Sequence, residues 1–127
     1  MNRLAVVEDN PDNRLLVAAI LEDDYELDEY ECGAEALAGM PSDPPDLVLM
    51  DISLPGMDGV QVLQEMRGIA GLAEVPVIAL TAHAMSGDRE RFLAAGFDGY
   101  VTKPILDEDL LISAIERLVT QPLQRSA

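Results

Sequence analysis

At 127 residues, 49% apolar and only 4% aromatic, the chain is one ordinary domain with an aliphatic core. That composition excludes a disordered chain and argues against the aromatic platform on which proteins stack bases. Its 8 basic and 24 acidic side chains leave a net charge of −16, which repels nucleic acid and anionic lipid, and no basic run offsets it.

Residues 4–7 are a short apolar run that ends at Glu8-Asp9-Asn10. Pro11 suits the first turn of a helix with Asn10 as its N-cap, and the expected core stripe of that helix is Leu15, Leu16, Ala19 and Ile20. Residues 25–30 are extended but charged, as befits an edge strand that must not pair with other chains. Residues 34–37 predict a short helix stopped by Gly39 and Pro41. Residues 47–50 are an uninterrupted apolar run leading into Asp51, the pattern of a strand buried on both faces. A Pro55-Gly56 and an Asp58-Gly59 turn follow. Val62, Leu63 and Met66 have helical spacing, and Gly68 and Gly71 loosen the chain after them. Residues 75–80 predict a strand running into Thr81. Ser86 can cap a helix through Arg91 and Leu93 that ends at Gly96 as a C′ residue. Residues 97–101 predict a strand running into Thr102-Lys103-Pro104. Asp107 can cap a last helix whose stripe includes Leu111, Ile115, Leu118 and Val119. The domain is expected to span 1–120, with 121–127 a frayed polar tail.

Cys32 is the only cysteine. An internal disulfide and a cysteine-rich metal site are therefore excluded, and it reads as a small buried apolar residue. No apolar run approaches the roughly 18 residues of a membrane span, and Met1-Asn2-Arg3-Leu4 lacks the apolar segment of a signal peptide. The expected location is the cytoplasm, without membrane insertion.

Strands alternating with helices imply a parallel sheet with right-handed crossovers and helices on both faces. All carboxyl ends of such a sheet lie along one rim, where ligands bind. Glu8-Asp9, Asp51, Thr81 and Lys103 follow four of the apolar runs and therefore meet there. Three carboxylates on one rim repel one another, by about 3 kcal/mol per pair at 5 Å and an effective dielectric near 20. One lysine does not balance them, so a divalent cation is the natural complement. Oxygen ligands, few in number and open to a phosphate, suit Mg²⁺ better than Ca²⁺. With metal and lysine masking its charge, an aspartate can attack phosphorus and form an acyl phosphate. Mg²⁺, the Lys103 ammonium and the Thr81 hydroxyl would then stabilise the transferring oxygens.

Glu8-Asp9-Asn10, the segment from Leu47 through Asp51 to Gly59, Leu80-Thr81-Ala82 and Lys103-Pro104 together resemble the receiver domain of two-component response regulators, over about residues 3 to 119. The resemblance implies a flavodoxin-like α/β fold of five parallel strands in the order 2-1-3-4-5. It implies Asp51 as phosphoacceptor, Glu8 and Asp9 as the acidic pair at the metal, and the Ser53 backbone carbonyl as a further Mg²⁺ ligand. Thr81 would bind a phosphoryl oxygen after transfer, Lys103 would contact the phosphate, and Pro104 would follow a cis peptide. Tyr100 matches the switch aromatic, which turns inward as Thr81 moves. The implied partners are a histidine kinase or histidine phosphotransfer protein as donor, and a downstream protein that reads the face of the fourth helix, fifth strand and fifth helix. Glu8 stands where many relatives have Asp, and Ser53 and His83 occupy positions that influence how fast phosphate is lost.

The reading is thus a phosphorylation-switched signalling module rather than an enzyme with a separate substrate. No stretch after Val119 could form an output domain, so its output would be binding or phosphotransfer. Met1 directly before the first strand suggests a separate regulator. The segment from Thr81 to Glu90 also resembles receivers of hybrid histidine kinases, from which the chain could be excised. A haloacid-dehalogenase-like phosphatase would also place a nucleophilic Asp after a buried strand, but needs a second Asp where this chain has Ser53. A flavodoxin-like electron carrier would cradle a flavin phosphate with its first loop, which here is acidic.

Overall fold

The computed structural model describes residues 2–54, 56–81, 88–102 and 108–120. Strand β1 (Arg3–Val7) leads to helix α1 (Pro11–Leu21), β2 (Glu26–Tyr30) and α2 (Gly33–Gly39), which runs into a one-turn 3-10 helix, Met40–Ser42. Then come β3 (Leu47–Asp51), α3 (Gly59–Arg67), β4 (Val77–Thr81), α4 (Asp88–Ala95), β5 (Gly99–Thr102) and α5 (Glu108–Thr120). The strands form one parallel sheet in the order β2-β1-β3-β4-β5, the flavodoxin-like arrangement expected from the sequence, with charged β2 at an edge.

The continuous apolar runs are explained by what covers each face. Alternate side chains leave a strand on opposite sides, so Ala5, Val7, Val48 and Met50 meet Ala36 of α2, Val62, Leu63 and Met66 of α3, and Phe92 of α4. Leu4, Val6, Leu47 and Leu49 meet Val17 and Leu21 of α1 and Leu111, Ile115 and Leu118 of α5. Each fully buried Leu or Met contributes about 2 kcal/mol by leaving water.

Of the stripe expected on α1, Ile20 packs against the core, but the other three residues do not. Val17 and Leu21 are buried, whereas Leu15 is 70% exposed and Leu16 and Ala19 also face outward. Residues 15–21 are all apolar, so periodicity alone could not set the helix phase. Arg14 sets it: its guanidinium donates to the Glu8 carbonyl at 2.7 Å, and Val17 and Leu21, three and seven residues on, share that face. The predicted N-cap does form, with the Asn10 side chain accepting from the amides of Asp12 and Asn13.

Helix α2 ends at Gly39 as expected, and Pro41 occupies the first turn of the 3-10 helix that follows, where its missing N–H costs nothing. Other boundaries moved. Strands β4 and β5 each begin two residues later than expected. Phe97 precedes β5 and packs edge-on against Phe92, with ring centroids 6.1 Å apart. Cys32 is half-buried rather than buried, because it is the N-cap of α2 at the margin of the sheet. Gly96, with φ +114°, follows α4 as the expected C′ residue. The proposed caps Ser86 and Asp107 lie outside the described residues, as does the tail. At the sheet's amino end, Arg67 donates to the carbonyls of Leu72, Ala73 and Val75, closing the loop between α3 and β4 far from the carboxylate rim.

Candidate metal centre

Strands β1 and β3 are parallel neighbours with Val7 opposite Met50, so the next residue on each, Glu8 and Asp51, emerges at the same edge. Both are buried, Glu8 at 0% and Asp51 at 2% exposure, while Asp9 is exposed. One carboxylate oxygen from each of Glu8, Asp9 and Asp51 lies within 4.8 Å of the others. Register carries Thr81 to the same rim, since Asp51 pairs with Leu80; Thr81 is 3% exposed.

Backbone contacts fix the two buried carboxylates. The Glu8 amide donates to the Tyr30 carbonyl at 3.0 Å, its carbonyl accepts from Arg14, and its side chain accepts from the Asn10 amide at 3.4 Å. Burial raises the Tyr30 phenol above the usual tyrosine range, with Asp28 and Asp43 adding to the shift, so the ring remains a neutral packing group. Asp51 Oδ1 accepts from the Ser53 amide at 2.9 Å, which turns the exposed Ser53 backbone back toward the carboxylate.

The turn after Asp51 is equally specified. Gly56 has φ +78°, a conformation other residues rarely take. Asp58 caps α3 in a reciprocal box with Gln61, a D-x-x-Q pattern that was visible in the sequence and not singled out. The Gly59 amide donates to the Ile52 carbonyl at 3.0 Å, and a Cβ on Gly59 would run into the Asp51 carbonyl oxygen. Gly59→Ala is therefore expected to lose about 2 kcal/mol by overpacking against backbone, read as a lower denaturant midpoint. An unchanged midpoint would mean that the turn yields freely.

Tyr100 lies on β5, half-buried, its ring 6.2 Å from that of Phe92. Lys103, Pro104 and His83 lie outside the described residues. Arg14 and the Tyr30 carbonyl were missed in the sequence. The one basic residue of α1, directly before the apolar stretch 15–21 and at the spacing of the buried Val17 and Leu21, was the available signal.

The donor set is all oxygen. Glu8, Asp9 and Asp51 each bring a carboxylate oxygen within 4.8 Å of the other two, close enough that the three would share one small cation. These residues fit a hard divalent cation.

The family model for the response regulator receiver domain matches residues 4–116. The chain belongs to that family. This receiver is 42% identical over 105 residues to the signal transduction histidine-protein kinase BarA of Escherichia coli K12, covering 82% of the chain but 11% of that kinase. It is also 42% identical over 101 residues to the polar-differentiation response regulator DivK of Brucella ovis, covering 79% of the chain and 82% of DivK. It thus spans about a tenth of its kinase relatives and most of the small regulator. Among solved structures it is similar to the receiver domain of sensor histidine kinase PA1611 from Pseudomonas aeruginosa PAO1. The TM-score is 0.85 and the identity 34%, over 94% of this chain and 98% of that one. That structure has a magnesium ion coordinated in the active site cleft. Among the described residues no helix is long and apolar enough to cross a membrane. The phosphatase reading finds no support in these matches.

Proposed function

We propose that this receiver accepts a phosphoryl group on Asp51 in a Mg²⁺-dependent reaction and passes the signal on by binding or phosphotransfer. The observation that carries the reading is the convergence of Glu8, Asp9 and Asp51 on one point at the carboxyl edge of the sheet. Glu8, Asp9, Asp51 and the Ser53 carbonyl would hold the ion, which when bound supplies positive charge at the phosphoryl oxygens. An Asp51 oxygen attacks phosphorus while the donor nitrogen leaves with the electron pair of the breaking P–N bond. The Thr81 hydroxyl donates to a phosphoryl oxygen, and Lys103 offers a fixed ammonium.

The donor is a phosphohistidine on a kinase or phosphotransfer protein, as befits a chain related both to kinase-embedded receivers and to a small regulator. Residues 1–120 form the receiver unit and 121–127 extend past it, working in the cytoplasm. Occupied Asp51 draws Thr81 toward the phosphate and lets Tyr100 move inward, shifting a pre-existing equilibrium at the face of α4, β5 and α5. A downstream protein reads that face. With a charge of −16, nucleic acid is not the target.

Incubation with acetyl phosphate tests the reading. The expected result is one base-labile phosphoryl group per chain with Mg²⁺, and none with excess chelator. Labelling that ignores the chelator would remove the metal from the mechanism.

A further inference from the structure

The strongest feature that the phosphoacceptor reading leaves unused is Arg14. Its side chain is 15% exposed, deep for a guanidinium, and it reaches three separate groups. Nη1 donates to the Glu8 carbonyl at 2.7 Å, Nε lies 3.6 Å from the Glu29 carboxylate, and Nη2 lies 3.4 Å from that of Glu31. Glu29 and Glu31 flank Tyr30, whose carbonyl accepts the Glu8 amide. Arg14 therefore grips Glu8 directly at its carbonyl. It also grips Glu8 indirectly, through both neighbours of the residue that holds its amide.

Alternation along β2 explains how one arginine reaches both glutamates. The Tyr30 ring packs with the cluster under α2, α3 and α4, so Glu29 and Glu31 project to the opposite side, where α1 lies. Edge strand β2 pairs only with β1, and its end would fray most readily at Tyr30.

We propose that Arg14 is a positioning residue for the metal centre, holding the Glu8 main chain so that its carboxylate meets those of Asp9 and Asp51. The inference rests on the Mg²⁺ site of the preceding section. The electrostatic and the positioning effects of Arg14 have opposite signs. As a bare positive charge near a cation site, it would weaken Mg²⁺ binding, and its removal would tighten it. As a clamp it strengthens binding, and its loss weakens it, by roughly tenfold for a group that orients a metal ligand. Lysine keeps the charge but cannot bridge a carbonyl and two carboxylates with one fork.

Calorimetric titration of the full chain with MgCl₂ separates these cases. Arg14→Lys and Arg14→Ala are expected to bind Mg²⁺ roughly tenfold more weakly than wild type, with circular dichroism showing both folded at the titration temperature. Arg3→Ala removes the same charge from the other end of β1, where Arg3 meets Glu26 and Asp28, and is expected to stay within about twofold of wild type. In a Glu8→Gln background, Arg14→Lys should add little further loss, because the two act through one ligand. Binding by Arg14→Ala as tight as wild type or tighter, an Arg14→Lys indistinguishable from wild type, or fully additive losses would each overturn the proposal. If Arg14→Ala does not fold, Arg14→Lys and the double variant decide alone. A wild-type chain that binds no Mg²⁺ overturns the metal site itself and this inference with it, a result unlike any of the others.

Discussion

Asp51→Asn will take up no phosphoryl group from acetyl phosphate and Mg²⁺ under conditions in which the wild-type chain is labelled, a loss of at least about a hundredfold. The asparagine carbonyl can still accept from the Ser53 amide, as Asp51 Oδ1 does at 2.9 Å, so the turn keeps its shape. The amide nevertheless carries no negative oxygen with which to attack phosphorus. It also removes one of the three carboxylates that converge within 4.8 Å, so Mg²⁺ affinity should fall as well. Two readouts therefore move together: incorporated phosphate, and the rise in melting temperature on adding Mg²⁺, which follows from binding to the folded state alone. An Asp51→Asn chain labelled like wild type would transfer the phosphoacceptor role to another residue and unmake the proposed site.

The sheet and its rim were legible because they depend on features that a single sequence displays. Apolar runs bounded by turn residues report strands covered on both faces, and the rim follows from parallel order. Glu8, Asp51 and Thr81 therefore came together as expected from strand ends alone. The phase of α1 was not legible, since apolar residues at 15–21 leave no periodic contrast and the face was chosen by Arg14, through a contact to residue 8. The start of β5 was misplaced for a related reason. Phe97 has a strand former's side chain, but its ring fills a gap beside Phe92, so tertiary packing overrode propensity.

The same contrast explains why Glu8 is tolerable in the core. A glutamate at 0% exposure would be costly in an apolar setting, yet here it follows the last residue of β1 and accepts from a backbone amide. The apolar layers run up to the rim: Val7 and Met50, directly before Glu8 and Asp51, are fully buried, and Leu54 beyond Asp51 belongs to the same cluster. The carboxylates are thus held by the end of the core itself.

Phe92→Ala is expected to cost 3–5 kcal/mol, a fall in melting temperature on the order of 15 °C for a domain of this size, whereas Leu93→Ala should stay within about 0.5 kcal/mol. The two residues are adjacent on α4, but Phe92 is 2% and Leu93 42% exposed. Among the described side chains of α4, Phe92 is the buried one. It meets Phe97 edge-on and Tyr100 at 6.2 Å, and the Arg91 guanidinium covers its ring at 5.1 Å. Truncation opens a cavity beneath α4 and removes the surface against which Tyr100 packs, so the helix loses its hold on β5. At temperatures where the variant stays folded, Asp51 should still be labelled, because Glu8, Asp9 and Asp51 sit on β1 and β3 and their following turns. What should change is the response of α4 and β5 to that label, read as amide exchange that is already fast without phosphate. Equal melting temperatures for the two variants would show that α4 is anchored by something other than Phe92.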